Sequence, residues 1–334
     1  MTNLTAYILS KTDLTVTDVA VPVSYEINED ATGLAQSELR FAAAPMATIG
    51  DYVVLRGVYS GIVSSVETDK TTSITVLRAL PMQAIFSRNI LLGEAQTVTE
   101  NYILSAINAN FVNSGDDMTD IPYISVTAKT QTALGITPHN DHGIYNLATF
   151  LRYVARRHHI FADFELTANT MNVSIERRTP PLHIIDATVA DILSLNETVV
   201  SECVSKITVK TAEDMITFYL FDDGTFGTDP EAGTRVPGRT DTIYCENAAD
   251  AERMAGDVFN QNQFSHLIEL EIFTDSRLYD TAAMRLYDRA LVKTKTGIYE
   301  TYISFKRQKS TAKTVFFTFG NAKLTLTDKL KGGV

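Results

Sequence analysis

The stretch TGIYETYISFKRQKSTAKTVFFTFGNAKLTLTDKL, Thr296 to Leu330, decides how this chain is read. Tyr299, Thr301, Ile303 and Phe305 alternate with Glu300, Tyr302, Ser304 and Lys306, the two-residue period of a strand with one buried face. A basic connection, Arg307 to Lys313, leads into Val315-Phe316-Phe317-Thr318-Phe319, which is too apolar for a solvated strand. The pattern predicts a hairpin that ends in a buried strand. Gly320-Asn321 breaks it, and Leu324, Leu326 and Leu330 resume the alternation beside Asp328 and Lys329.

Charge is uneven around this ending. From Lys293 to Lys331 nine Lys or Arg stand against two acidic residues, which leaves twenty basic against thirty-eight acidic residues elsewhere. A formal charge of −11 makes the whole chain a poor nucleic-acid binder. A basic terminus on an acidic body is either solvated charge or a surface that docks on an acidic face of a neighbouring copy. With 334 residues, 45% hydrophobic and 21% charged, the chain reads as two or three globular domains. No apolar run approaches the roughly 20 residues that span a bilayer, so no stable membrane insertion is expected. The start, MTNLTAYILSKTD, lacks a basic region before its apolar residues, and folding in a cytoplasm is expected. Cys203 and Cys245 are too few for a disulfide framework; they read as reduced, buried small hydrophobes, and nothing in the sequence asks for a bridge between them.

Residues 1–92 hold many short apolar runs separated by turns, among them Tyr52-Val53-Val54-Leu55, Val58 to Val63 and Ser73 to Leu77, which predicts a small barrel or sandwich. From Gly93 the period lengthens. Ile103, Ile107 and Phe111 recur at four-residue spacing in a predicted helix from Thr97 to Asn113, with Thr99 as candidate cap. A second helix is predicted from Ile144 to His159, with Leu147, Leu151 and Val154 on one face and Arg152, Arg156 and Arg157 on the other. Residues 161–166 and 171–176 make a hairpin, Pro180-Pro181 breaks the chain, and Asp186 is placed to cap a short helix through Leu195. The α+β block 93–195 is followed by a β-rich block, 196–334, with an inserted helix at about 247–261. Its loop, 222–241, carries four glycines and two prolines, and its length suggests a functional or mobile segment.

Motifs for chemistry are weak. His139, His142, His158 and His159 lie near one another in sequence, yet no H-E-x-x-H spacing exists, and adjacent His158 and His159 point about 100° apart on a helix. No metal site is expected. There is no G-x-S-x-G, no C-x-x-C and no phosphate-cradling glycine loop, and Asp116-Asp117 and Asp222-Asp223 sit in turn-like settings. The absence of Trp weakens a sugar-stacking role without removing it.

Four stretches carry a resemblance: GDYVVLRGVYSGIVSSVETDKTTSITVLRA (from Gly50), NLATFLRYVARRHHIFADFEL (from Asn146), MNVSIERR (from Met171) and FGNAKLTLTDKL (from Phe319). In this order they resemble the baseplate-hub or tail-tip hub proteins of tailed phages, prophage tails and contractile injection systems. The resemblance implies an α+β, β-rich multidomain fold in which two small β-barrel-like domains flank an α+β domain. It further implies a non-enzymatic homotrimer without cofactor, at the virion tail tip and assembled in the host cytoplasm. The ring would join a tail tube or distal tail protein to a spike or receptor-binding protein around a channel, with the tape-measure protein as a further partner. Ending at Val334, the chain would be the bare hub, any wall-degrading or fibre part lying on another chain. A tail-associated cell-wall hydrolase or host-glycan-binding module is the alternative. Candidate contact residues are Asp223, Phe226, Asp229, Arg235 and Arg239 in the long loop, and Lys306, Arg307, Lys309 and Lys313 in a basic inter-subunit hairpin.

Overall fold

The computed structural model describes residues 4–320 except 70, 117, 139–142, 168, 203, 222–224, 236–237 and 261–262. These residues form a β-rich α+β fold in two compact units, one of 4–195 with 269–319 and one of 196–268.

The N-terminal strands are Ala6–Leu9 (β1), Val16–Ala20 (β2), Ser24–Asp30 (β3), Ser37–Phe41 (β4), Tyr52–Leu55 (β5), Tyr59–Asp69 (β6) and Ile74–Pro81 (β7). They pair antiparallel in the order β3-β4-β7-β6-β5-β1-β2. Alternate residues are buried along β4 and β7, as the period of two requires, and Leu39, Phe41, Leu77 and Ala79 meet Ile8, Val53 and Val63 in one core. Gly61 is needed where it stands: a Cβ there would lie 2.6 Å from the Leu80 carbonyl oxygen, its neighbour across the β6–β7 ladder.

Next come Asn89–Leu91 (β8), Thr99–Ile107 (α1), Ile124–Ala128 (β9), Ile144–Asn146 (β10), Leu147–His158 (α2), Ile160–Leu166 (β11) and Met171–Arg177 (β12). Helix α1 is shorter than its periodicity predicts. It continues as a π-helical turn, Asn108–Val112, and Ile103, Ile107 and Phe111 are all buried. Thr99 does not cap it: Val98 takes that position, while the Thr99 hydroxyl accepts from Ile136 N at 3.0 Å. Asn146 caps α2 by accepting from Thr149 N at 3.1 Å, and His159 in the left-handed region (φ 56°) ends it. The apolar face of α2 and the β9-β12-β11 sheet share a core with Tyr52, Phe86 and Tyr102.

After Leu182–Asp186 (β13), the helix predicted from Asp186 through Leu195 is replaced by turns and the start of the next strand. The Asp186 carboxylate accepts from Thr188 N in a turn and from Lys293 Nζ at 2.7 Å, and Lys293 above all holds its carboxyl down at about 2. Ile192–Glu202 (β14) then carries the chain out of the first unit.

In the second unit, Val204–Lys210 (β15), Met215–Leu220 (β16), Phe226–Gly227 (β17) and Arg239–Tyr244 (β18) form a sheet of order β17-β16-β15-β18. Helix α3, Ala251–Asn260, follows a short turn capped by Asn247 and buries Ala251, Ala255 and Phe259 against Ile207, Val209 and Phe218. Cys245 is buried with a free thiol that donates to Asn247 O; Cys203 lies outside the described residues.

Gln263–Phe273 (β19) returns the chain, and Arg289–Lys293 (β20), Ile298–Lys309 (β21) and Thr314–Gly320 (β22) complete the first unit. The terminal hairpin joins the N-terminal sheet, β21 pairing antiparallel with β3 from Phe305↔Asp30 to Lys309↔Glu26. Its alternation is interrupted. A β-bulge between Ile303 and Phe305 shifts the register against β22, so Ile303, Ser304 and Lys306 are buried while Phe305 is only half-buried. The segment Asn321–Leu330, with its predicted leucine alternation, lies outside the described residues.

Candidate interaction surface

The basic hairpin is built differently from a row of free cations. Lys306 is 8% exposed, and its ammonium donates to Thr281 O at 3.0 Å and Met284 O at 2.8 Å beside the Phe317 ring. Burial lowers its pKa, opposed by the nearby Glu29 carboxylate. Burial raises that of Glu29, opposed by Lys306 and Arg285. Arg307 lies over the Phe316 ring at 4.6 Å, and Lys309 pairs with Glu26 at 3.0 Å. Lys313 is exposed at the turn, where its carbonyl accepts from Thr274 N.

The long loop is partly ordered by local packing. Phe226 packs edge-on against Phe218 and tilted against Phe259 of α3, at 6.0 and 5.4 Å between centroids. Asp229 accepts from Glu231 N in a turn. Arg235 bridges to Phe221 and covers the Tyr219 ring at 4.6 Å, whereas Arg239 is exposed at the start of β18. Asp223 lies outside the described residues.

Two apolar strands at sheet ends were not singled out in the sequence. Among the described residues β2 pairs only with β1 and exposes Val16 (55%) and Val19 (54%), and β13 pairs only with β20 and exposes Leu182 (48%) and Ile184 (71%). In Leu182-His183-Ile184-Ile185 the fully buried residue is Ile185, so both faces of the strand are apolar. That was the available signal, obscured by reading Pro180-Pro181 as a break and Asp186 as a helix cap.

A cleft of about 530 Å³ opens in the first unit, lined by Glu29, Asp30, Asp163, Arg178, Arg285 and Lys306 among others. Its charges oppose one another: Arg178 is bonded to Asp163 and lies over Phe161, and Lys306 is held by carbonyls. Such a self-neutralised cleft carries no excess charge for a substrate. Among the described residues no three His, Cys, Asp or Glu are grouped to hold a metal ion. His139 and His142 lie outside those residues, and His158 Nε2 is 3.3 Å from the Tyr153 hydroxyl. No helix among the described residues is long and apolar enough to cross a membrane.

No family model and no curated protein matches the sequence. Solved structures do. A chain of the phage P2 baseplate in its activated conformation matches with a TM-score of 0.58 at 10% identity, over 95% of this chain and 98% of that one. The prophage tail protein gp18 from Listeria monocytogenes EGD-e matches with a TM-score of 0.51 at 12% identity, over 98% and 97% of the two chains. The 43 kDa tail protein of prophage MuSo2 from Shewanella oneidensis does so with 0.51 at 12%, over 96% and 99%. The expected baseplate-type architecture is therefore the fold this chain has: that of phage tail and baseplate proteins.

Proposed function

We propose that this chain, which has the fold of phage tail and baseplate proteins, is the hub at the tail tip of a phage or phage-like particle. The observation that carries the reading is the extent of the match to the P2 baseplate chain, 95% of one chain and 98% of the other, so a whole architecture is shared and not one module. In this reading three copies form a ring, with two β-rich parts of each copy supplying six similar positions. The ring joins a six-fold tail tube or distal tail protein to a three-fold spike or receptor-binding protein around a central channel. The tape-measure protein is its further partner, and host attachment and genome delivery are its roles. The protein acts by assembly, without catalysis, cofactor or specific nucleic-acid binding.

The end strands support this. Apolar strands with one edge unpaired among the described residues favour pairing with another chain, and a head-to-tail contact between different edges gives a ring when its rotation closes. Light scattering coupled to size exclusion tests the reading. A stable species of three times the 36.8 kDa protomer is expected, with rings in electron micrographs. A chain that stays monomeric at high concentration, or that turns over peptidoglycan or binds host-cell glycans, contradicts it.

A further inference from the structure

The strands at the ends of the sheets are not finished alike. On β2 the Val19 N–H points away from β1, and the Asp18 carboxylate accepts it at 2.8 Å. On β18 the Thr242 N–H is met in the same way by Asp241, also at 2.8 Å. A carboxylate laid over an outward N–H guards an edge against casual pairing. β13 has no such guard. Pro181 O accepts from Arg289 N and Ala187 N donates to Lys293 O, so residues 181, 183, 185 and 187 turn their backbone groups to β20. Leu182 and Ile184 therefore turn theirs outward, and among the described residues these groups have no partner. The open length is short. Pro180 and Pro181 bound it at one end, and at the other the Tyr279 hydroxyl accepts from Asp186 N at 3.0 Å. The Asp186 carboxylate, which stands where a guard would, is spent on Thr188 and Lys293.

We infer that β13 of one copy takes β2 of a second copy as an added antiparallel strand, with Ile184 opposite Val19 and Leu182 opposite Val21 of that copy. In this register the outward N–H and C=O groups of Leu182 and Ile184 face Val21 and Val19. All four side chains are exposed in the single chain, and here they fall on one face as two apolar pairs. One bond is exchanged and not gained: Val19 N leaves Asp18, whose other oxygen stays on Met46 N. The occupant is a second copy because one chain carries both halves of the contact, and two unlike edges are what a head-to-tail ring requires. β13 pairing with itself would close at two copies and leave Val19 and Val21 uncovered. The inference rests on the assembly reading and assigns one of its contacts.

The test traps this register in the full chain. Val19→Cys combined with Ile184→Cys should cross-link copies into covalent trimers under oxidation, because opposite residues of an antiparallel pair lie about 5.5 Å apart. Neither single variant should cross-link. Val19→Cys with Leu182→Cys, two residues out of register, should lower the yield about tenfold or more. Ile184→Pro removes an outward N–H without breaking a bond to β20, so the chain should stay folded while self-association weakens about tenfold or more in sedimentation. Thermal unfolding checks the fold, and Val19→Pro, also at an outward N–H, decides the matter should Ile184→Pro not fold. A covalent dimer from Ile184→Cys alone would show β13 pairing with itself and overturn the proposal. So would a wild-type trimer whose double cysteine variant stays uncross-linked, or a folded Ile184→Pro that assembles like the wild type; both leave the hub reading standing. A monomeric wild type sinks the two together.

Discussion

Replacing Lys306 by Met tests whether the terminal hairpin is anchored by a buried ammonium. Methionine keeps most of the alkyl stem, so packing against Phe317 is largely retained and the change isolates the charge and its hydrogen bonds. Two carbonyls, Thr281 O and Met284 O, lose their donor. Each unpaired buried acceptor costs about 1–3 kcal/mol, and the loss of a cation near a buried carboxylate adds to this. Glu29 softens that last term, because burial already raises its pKa and it can take up a proton. Relief of the ammonium's own desolvation offsets part of the rest. A net loss of about 3 kcal/mol is expected, equivalent to about 6–12 °C in Tm for a unit of about 250 residues. The control is Lys309→Ala, whose exposed pair with Glu26 is worth about 0–1 kcal/mol. Differential scanning calorimetry of both variants decides the question. If Lys306→Met unfolds at or above the wild-type temperature, or if Lys309→Ala costs as much, the buried ammonium does not anchor the hairpin.

Further expectations follow from other residues. Burial alone would raise the Glu100 carboxyl, but hydrogen bonds from Thr132 and Thr130 outweigh it and hold the pKa below the ordinary 4.5. Its contribution is therefore full above pH 4.5 and is lost as pH falls through the lower folded value. Acid titrations of stability should show this loss in the wild type and not in Glu100→Gln. Phe259→Ala empties the core between α3 and its sheet and should destabilise the second unit by about 3–5 kcal/mol, seen as faster hydrogen exchange in β15 and β16 with β6 and β7 unchanged. Ile184→Asp places a charge on the exposed face of β13; the monomer should fold with nearly unchanged Tm while the assembled species is lost from light scattering, and an unaltered assembly would remove β13 from the interface.

The local elements were legible because their signals are local. Periods of two and about four residues marked β4, β6, β7, the β11–β12 hairpin and α2, although the sequence pointed to Asn140 or Asp141 as the cap of α2 and the structure uses Asn146. Signals failed where a neighbour distant in sequence decides. Asp186 has the chemistry of a cap, but Lys293 and the β13–β20 pairing claim it. Thr99 likewise turns its hydroxyl to Ile136. Of the candidate contact residues, the sequence supplied charge and position and gave no sign that Lys306 is buried or that Phe226 packs in a core.

By itself the sequence determined that the chain is β-rich with a few short helices, because side-chain alternation and turn residues act over a handful of positions. Only the tertiary structure decided which strands meet, since the Tyr25 N–H finds the Ser310 hydroxyl 285 residues away, and no local pattern encodes that partner. It also decided which way Lys306 points. One bulged residue reverses the faces of everything beyond it, and a bulge is fixed by the register of the neighbouring strand and not by the strand's own composition.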